Sequence, residues 1–304
     1  MQSIRVPAFA KVNLRLDVLG RRADGYHELR TIFQSISLHD TLHLERKHKP
    51  GIELDILGDP SLAAGPQRKN LVWRAAEAIR REVKFTGGVR ISLEKRIPVG
   101  RGLGGGSSDA AATLAALLRL TGRRVAPERL LEIAAGLGAD VPFFLSGGRA
   151  LGTGRGDEIY PLPDVEKRAI LVVSPRNIAV ITRDAYGWVD DRLTKRHSVH
   201  RLWSFCALCW SPREGHVSND FETAVFRRHP RLNRIRRGLL QGGAAEAALA
   251  GSGSAVFGIF RNPAQARRSA QLFPEDQVFL CTTLSRKAHA RALWGSPAGG
   301  LLGV

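Results

Sequence analysis

Residues 98–120 read PVGRGLGGGSSDAAATLAALLRL, and this stretch decides the fold. A proline ends a strand-like segment, a glycine-rich loop follows, and an Ala/Leu helix begins near Ser107. Ala111, Leu114 and Leu118 recur at helical spacing and form the apolar stripe of that helix. The stretch therefore predicts a strand, loop and helix unit.

The loop has the composition of a phosphate site. Its glycines are Gly100, Gly102, Gly104, Gly105 and Gly106. Without side chains, backbone N–H groups can point into the loop, and the helix adds its positive N-terminal end. Ser107 and Ser108 are helix-capping residues by type, and their hydroxyls would also face a triphosphate or its Mg²⁺. Asp109, placed in the first helical turn, suits the helix dipole whatever the function.

Three other interpretations of the loop are weaker. Gly100, Gly102 and Gly105 satisfy the GxGxxG of dinucleotide-binding folds, but the region about 20 residues on is Arg123 and Arg124, where an acidic residue is needed. A P-loop is excluded because no lysine precedes the serines. A glycine-rich turn without a ligand is less favoured, because the glycines cost backbone entropy without a packing return.

Length and composition indicate a globular protein of two packed domains. The chain has 304 residues, 43% of them hydrophobic and 24% charged, and no stretch approaches the roughly 20 apolar residues of a membrane span. Charges at Arg5, Lys11 and Arg15 interrupt any signal-like segment at the N-terminus. We therefore expect a soluble, cytoplasmic protein, a monomer or homodimer, without a membrane partner.

Cysteine usage fits the same compartment, since three cysteines do not make a disulfide framework. Cys206 and Cys209 form a CxxC near His197, His200 and His216, so a zinc site is conceivable. The histidines that would complete the four zinc ligands lack the regular spacing of known zinc sites. Free thiols in a helix are the favoured interpretation.

The formal net charge of +18 would attract polyphosphates, nucleic acid or anionic membranes. The arginines lie in scattered pairs rather than in one stripe interleaved with aromatic residues. A generally basic, solvated surface is thus favoured over specific nucleic-acid binding.

Hydrophobic patterning predicts both strands and helices along the chain. Val12, Leu14, Leu16 and Val18 alternate with polar residues, which predicts a strand with Lys11 and Asn13 on one face. Helices are predicted over 70–81 and up to Gly138, strands over 89–97 and 169–175, and a final strand at 256–260. The domain boundary is expected between residues 150 and 168, and the predicted domains are 1–163, with the glycine-rich loop, and 164–304.

Several segments together resemble one known family. PVGRGLGGGSSDAAATL resembles the ATP loop of the GHMP kinases, which act on galactose, homoserine, mevalonate and phosphomevalonate. The resemblance extends over nearly the whole chain through AKVNLRLDVLGRRADGYHELRTIF, GADVPFFL, VITRDAY, SNDFE and AGSGSAVFGIF. AKVNL combined with DGYH is similar to the branch that phosphorylates 4-diphosphocytidyl-2-C-methyl-D-erythritol in the non-mevalonate isoprenoid pathway.

This resemblance implies an α+β, two-domain fold: a ribosomal-protein-S5-like N-terminal domain and a ferredoxin-like C-terminal domain, with the active site in the cleft. It implies that Asp140 accepts the substrate hydroxyl proton with Lys11 beside it. Without the family, Lys11 reads as a solvated strand lysine and Asp140 as a helix-end aspartate. The chemistry agrees with the family, since phosphoryl transfer depends on positioning and electrostatics.

The resemblance also implies the ligand contacts. ATP is the co-substrate with Mg²⁺, no tightly bound cofactor is expected, and Ser107 is a weak candidate for the metal. The implied ATP-binding residues are Pro98, Gly100, Gly102, Leu103, Gly104, Gly105, Gly106, Ser107, Ser108 and Asp109. The implied substrate contacts are Asn13, His27 on the cytosine, Tyr26 and Tyr186 stacking around it, and Phe33 as a pocket wall.

Two residues depart from the family pattern. Arg101 stands where a small residue is usual, so its side chain is expected to point outward or to reach a phosphate. Ala250 stands where Ser or Thr is common. Two rival hypotheses remain, another GHMP small-molecule kinase and a basic nucleic-acid-binding protein.

Overall fold

The computed structural model describes residues 3–57, 66–193 and 217–295. Its first sheet contains β1 (Ser3–Arg21), β2 (His27–Lys47), β3 (Gly51–Leu57), β4 (Gly88–Glu94), β5 (Arg149–Thr153), β6 (Glu158–Pro161) and β8 (Ser218–Asn219). β1 and β2 form a long antiparallel pair in which Asn13 lies opposite Phe33. The alternation around residues 12–18 therefore predicted the strand correctly.

Four helices belong to this sheet: α1 (Leu71–Glu82), α2 (Gly105–Thr121), α3 (Pro127–Leu137) and α4 (Val141–Ser146). α1 begins after Asn70, whose side chain accepts the N–H of Val72 at 2.8 Å. α2 is buried almost throughout because its residues are small and apolar, and it packs with α1 on Val6, Leu42 and Ile91 of the sheet. This core supports the glycine-rich loop from below.

The second sheet has four antiparallel strands in the order β11-β7-β10-β9: β7 (Ala169–Ser174), β9 (Glu246–Leu249), β10 (Val256–Phe260) and β11 (Gln277–Thr282). Its helices are α5 (Thr182–Leu193), α6 (Phe221–Arg228), α7 (Pro230–Gln241) and α8 (Pro263–Ala270). This βαββαβ order is ferredoxin-like, as expected. The expectation that 256–260 is the final strand is wrong, because β11 follows it.

β7 is buried on both faces and contributes to two hydrophobic clusters. Ile170 and Val172 face Ala10 and Val12 of the first sheet, whereas Leu171 and Val173 face the helices of the second. Successive residues of a strand point to opposite faces, so a strand buried on both sides reads as an unbroken apolar run.

The last helix, α9 (Arg286–Trp294), returns to the first sheet. The Nε1 of Trp294 donates to the carbonyl of Leu145 at 3.0 Å, and Arg119 donates to the carbonyl of Leu293 at 2.7 Å. β8 likewise pairs with β1. The boundary between residues 163 and 164 falls in the connection from β6 to β7 and stays a prediction.

Two expectations concern absences. Among the described residues, no helix has the length and apolar character needed to span a bilayer. No cluster of metal-ligating side chains occurs in the same part of the chain. Cys206, Cys209, His197, His200 and His216, the conceivable zinc ligands, lie outside the described residues.

Candidate active site

A cavity of about 1060 Å³ is lined by strands of the first sheet, the glycine-rich loop and the turn that precedes α4. On the side of the second sheet, its lining comes from α5, from Phe221 of α6 and from Gly251 and Ser252 in the turn after β9, and not from the strands. Its lining includes Lys11, Asn13, Tyr26, His27, Phe33, Pro98, Gly100, Gly102, Leu103, Gly104, Gly105, Gly106, Ser107, Asp109, Asp140 and Tyr186. The fold thus brings nearly every residue singled out from the sequence to one cleft.

The loop enters α2 through glycines in the left-handed region. Gly100, Gly102 and Gly104 have φ values of 67°, 78° and 74°, which residues with a Cβ rarely adopt. The helix begins at Gly105, two residues earlier than predicted, and Gly104 precedes it without a side-chain cap. The interpretation of the two serines as caps is therefore wrong, because the helix has already started where they stand.

The serines and the aspartate after the loop have different environments. Ser107 lines the cavity, whereas Ser108 is 2% exposed and lies outside the lining. Asp109 is not a first-turn carboxylate facing the dipole, since it is buried and accepts a hydrogen bond from Lys95 at 2.8 Å. Of these three predicted ATP contacts, Ser107 and Asp109 line the cavity, and the Ser107 hydroxyl lies 3.7 Å from the place that a Cβ on Gly138 would take.

The loop rests on the turn 250–255 of the second sheet. A Cβ on Gly102 would lie 1.8 Å from the carbonyl oxygen of Ala250, and the N–H of Ala255 donates to the carbonyl of Arg101 at 3.2 Å. The guanidinium of Arg101 donates to the hydroxyl of Ser254 at 2.6 Å and to the carbonyl of Arg176 at 3.4 Å. Arg101 thus bridges the two sheets, rather than pointing outward.

Two side chains missed by sequence reasoning support this turn. Asn219 donates to the carbonyls of Leu249 at 2.9 Å and Gly251 at 2.7 Å, and Thr182 and Ser252 share a hydroxyl hydrogen bond of 3.0 Å. Asn219 stands in SNDFE, one of the segments that carried the resemblance. Its orientation depends on β8 pairing with β1, which local sequence does not reveal.

Lys11 and Asp140 meet at the cavity wall. Lys11 is 4% exposed, and its Nζ lies 2.7 Å from Oδ1 of Asn13 and 3.6 Å from Oδ2 of Asp140. The ammonium also lies 5.5 Å from the ring centroid of Phe33. Asn13 is oriented in turn by its donation to the Thr31 hydroxyl at 2.8 Å. A buried cation beside a partly exposed carboxylate is an arrangement suited to proton abstraction and charge stabilisation.

Asp140 reaches this position because of the turn between α3 and α4. It occupies the residue before α4 with φ −80° and ψ −13°, and the helix that follows buries Phe143 and Phe144. Phe143 packs against Phe33, their ring centroids 4.8 Å apart. The apolar residues of α4 therefore fix the helix and hold the carboxylate at its start toward the cleft.

An aromatic group forms another part of the cavity lining. The rings of His27 and Tyr186 stack at 4.4 Å with an interplanar angle of 20°, and Nε2 of His27 lies 2.6 Å from Oδ1 of Asp190. Burial raises the pKa of Tyr186, and Asp140 adds to the shift. Tyr186 also makes an edge contact with Phe221 at 4.8 Å. These contacts fix the Tyr186 ring against His27.

Tyr26 differs from this buried pair. It is 55% exposed at the cavity rim, and the guanidinium of Arg155 lies 5.0 Å from its ring centroid. Arg155 is itself held by Asp157 at 2.5 Å. Sequence reasoning missed Arg155 and Asp190, since their proximity to Tyr26 and His27 arises from strand and helix packing. That the two tyrosines bracket a base stays a prediction.

Comparisons with known proteins agree with this geometry. The GHMP kinases N terminal domain matches residues 70–148, and the GHMP kinases C terminal region matches residues 210–271. The 4-diphosphocytidyl-2-C-methyl-D-erythritol kinase of Solibacter usitatus is 46% identical over 294 residues, covering 94% of this chain and 90% of its own length.

Solved structures extend the comparison. A crystal structure of 4-(cytidine 5'-diphospho)-2C-methyl-D-erythritol kinase matches with a TM-score of 0.78 and 38% identity, covering 92% of this chain and 99% of that one. A homoserine kinase from Cytophaga hutchinsonii, 19% identical with a TM-score of 0.73 over 94% of this chain and 95% of its own, shares the fold. The chain therefore belongs to the 4-diphosphocytidyl-2-C-methyl-D-erythritol kinases, a branch of the GHMP kinase family.

Proposed function

We propose that this chain transfers the γ-phosphate of ATP to the 2-hydroxyl of 4-diphosphocytidyl-2-C-methyl-D-erythritol, in the cytoplasm. The observation that carries the proposal is the Lys11–Asp140 pair, 3.6 Å apart at the wall of a cavity that the glycine-rich loop also lines. Membership of the family supports the same reaction. Neither rival, another GHMP kinase substrate or nucleic acid, is favoured by any of these observations.

In this reaction the loop holds the phosphates of ATP. The backbone N–H groups of residues 100–106 and the positive end of α2 bind anionic oxygens. Asp140 accepts the proton of the attacking hydroxyl, and Lys11 stabilises the negative charge that develops on the transferring group. Asn13 orients the Lys11 ammonium through the 2.7 Å contact.

The site also fits the Mg²⁺ that accompanies ATP. Ser107 provides a hard oxygen donor beside Gly138 at the cleft, and Mg²⁺ prefers oxygen ligands. Ser107 is the residue proposed to hold it. When bound, the ion neutralises charge on the phosphate oxygens.

The nucleobase end of the substrate is assigned to the aromatic group. His27, fixed by Asp190, hydrogen-bonds the cytosine, while Tyr186 and Tyr26 provide stacking surfaces. Phe33 forms the wall beneath Lys11. The cytidine end and the reacting hydroxyl would then occupy different parts of one cavity.

The test is ADP release by the purified chain with Mg·ATP. Turnover is expected with 4-diphosphocytidyl-2-C-methyl-D-erythritol and not with mevalonate, homoserine or galactose, and CDP should compete. Lys11→Met and Asp140→Asn should each lower kcat by at least about 10³-fold while ADP still binds, because both residues act on the reacting atoms. Lys287→Met, an exposed lysine on α9, is the control. Near-normal turnover of Asp140→Asn would refute its role as the base.

A further inference from the structure

A buried ionic cluster lies beneath the glycine-rich loop, apart from the Lys11–Asp140 pair. The ammonium of Lys95 donates to Oδ2 of Asp40 and, at 2.8 Å, to Oδ2 of Asp109. The three side chains are at most 8% exposed. We call Asp40, Lys95 and Asp109 the loop cluster.

The loop cluster joins the two ends of the phosphate loop. Asp40, on β2, accepts the backbone N–H groups of Arg96 at 2.5 Å and Ile97 at 2.8 Å, immediately before the loop begins at Pro98. Asp109 lies on α2, into which the loop runs. One lysine therefore ties the entry of the loop, through Asp40, to its exit.

The lysine also contacts the start of the helix. A Cβ added to Gly105, the first residue of α2, would lie 3.3 Å from the Lys95 Nζ. Both Lys95 and Asp109 line the cavity. The ammonium thus fills the space under the helix terminus whose N–H groups face the phosphates.

Electrostatics explains why the cluster is unsuited to a purely stabilising role. Burial opposes the charge of Lys95, but Asp109 and Asp40 outweigh it and raise the pKa of the ammonium. Burial, together with Asp40, raises the pKa of Asp109, although Lys95 opposes the shift. Its Oδ1 has no hydrogen-bond partner among the described residues. Buried ion clusters of this kind add little net stability relative to apolar side chains. A role in positioning the ends of the loop is therefore better supported than a role in stability.

We infer that Lys95, Asp40 and Asp109 are positioning residues that set the spacing between the two ends of the loop and thereby its affinity for nucleotide phosphates. The inference rests on the proposed function, since it takes the loop to bind ATP. It assigns the cluster to nucleotide binding rather than to the acceptor or to the proton transfer.

The chain offers a matched control for removal of the lysine. Arg231 also bridges two carboxylates, Glu275 at 3.0 Å and Asp276 at 2.9 Å, but at the second sheet and away from the cavity. Arg231→Met therefore removes a comparable cation without touching the loop. Leu239→Ala, a core truncation on α7, provides a control for loss of stability.

The experiment measures ADP affinity by titration calorimetry, and KM for ATP and for the acceptor, in Lys95→Met, Asp109→Asn and both controls. Lys95→Met should raise the ADP Kd and the KM for ATP at least tenfold while kcat and the acceptor KM change less than threefold. Lys95→Arg should recover part of the affinity, since it keeps the cation. Both controls should lower Tm without changing ADP affinity.

The outcomes separate this inference from the proposed function. Wild-type ADP binding without turnover would overturn the acceptor assignment and leave the cluster test intact. An ADP Kd within twofold of wild type in Asp109→Asn and Lys95→Met would overturn the inference, as would an equal rise in both KM values. If Lys95→Met does not fold, the isosteric Asp109→Asn decides, with a severalfold weaker ADP affinity expected.

Discussion

Two glycines of the phosphate loop allow a controlled test of how the loop is seated. Gly100 and Gly102 both have positive φ, 67° and 78°. A Cβ on Gly100 meets no atom within 4 Å, whereas one on Gly102 lies 1.8 Å from the carbonyl oxygen of Ala250. Gly100→Ala and Gly102→Ala therefore share the backbone strain and differ in the clash.

The magnitudes follow from this geometry. A residue with a Cβ in the left-handed region costs about 1–2 kcal/mol, which is the whole effect expected for Gly100→Ala in the free protein. Gly102→Ala must also separate the loop from the turn, which breaks the hydrogen bond from Ala255 to the Arg101 carbonyl and adds about 1–3 kcal/mol. We expect Gly102→Ala to lose about 2–5 kcal/mol in all.

The assay is thermal unfolding without ligand, followed by ADP titration. With a shift of roughly 2–4 °C per kcal/mol and a difference of about 1–3 kcal/mol between the variants, Gly102→Ala should unfold at least about 2 °C below Gly100→Ala. Its ADP affinity should fall at least tenfold, because the displaced loop presents its N–H groups wrongly. Equal Tm values for the two variants, or wild-type ADP binding by Gly102→Ala, would refute the proposed seating.

Three further predictions concern single side chains. Tyr186→Ala should raise the acceptor KM about 5-fold or more and leave the KM for ATP unchanged, since stacking on a base contributes about 1–3 kcal/mol; equal effects on both substrates would count against the assignment. Arg101→Ala removes the hydrogen bond to Ser254 and should raise the KM for ATP severalfold in initial-rate assays; an unchanged KM would show the bridge to be unimportant. Burial lowers the pKa of His289 to about 4. Below about pH 6.5 the unfolded chain therefore protonates this histidine, whereas the folded chain keeps it neutral. The free energy of unfolding is therefore unaffected by protonation of His289 above about pH 6.5 and decreases as the pH falls toward 4, because only the unfolded chain binds the proton in that range. Tm measured across that range should fall more steeply for wild type than for His289→Gln, and parallel curves would contradict it.

Local sequence patterns were sufficient to predict most strands and helices and to identify the phosphate loop. Alternation around residues 12–18 placed Lys11 and Asn13 on one face because strand side chains repeat every two residues, and the 2.7 Å contact between them confirms it. The helix after the loop was predicted correctly, but its start was misplaced by two residues. Serine is a frequent cap, yet here glycine geometry starts the helix.

Partners distant along the chain required the structure. Nothing near Lys95 in the sequence indicates that it donates a hydrogen bond to Asp40, 55 residues away. Nothing near Arg101 indicates that it donates to the Ser254 hydroxyl, 153 residues away. The final strand was missed because β11 is short and half exposed at a sheet edge, and a run of four apolar residues does not by itself distinguish a strand from a helix.

The sequence by itself determined the fold class, the family and the side chains available for chemistry, because helical and strand periodicities and the glycine-rich loop are local properties of the chain. The family resemblance already implied that Lys11 lies beside Asp140, and the 3.6 Å contact agrees with it. Only the tertiary structure decided the other charge pairs: Lys95 between Asp40 and Asp109, and His27 against Asp190. The physical reason is that burial converts ordinary surface ionisable groups into fixed pairs, and burial depends on how the sheets and helices pack together.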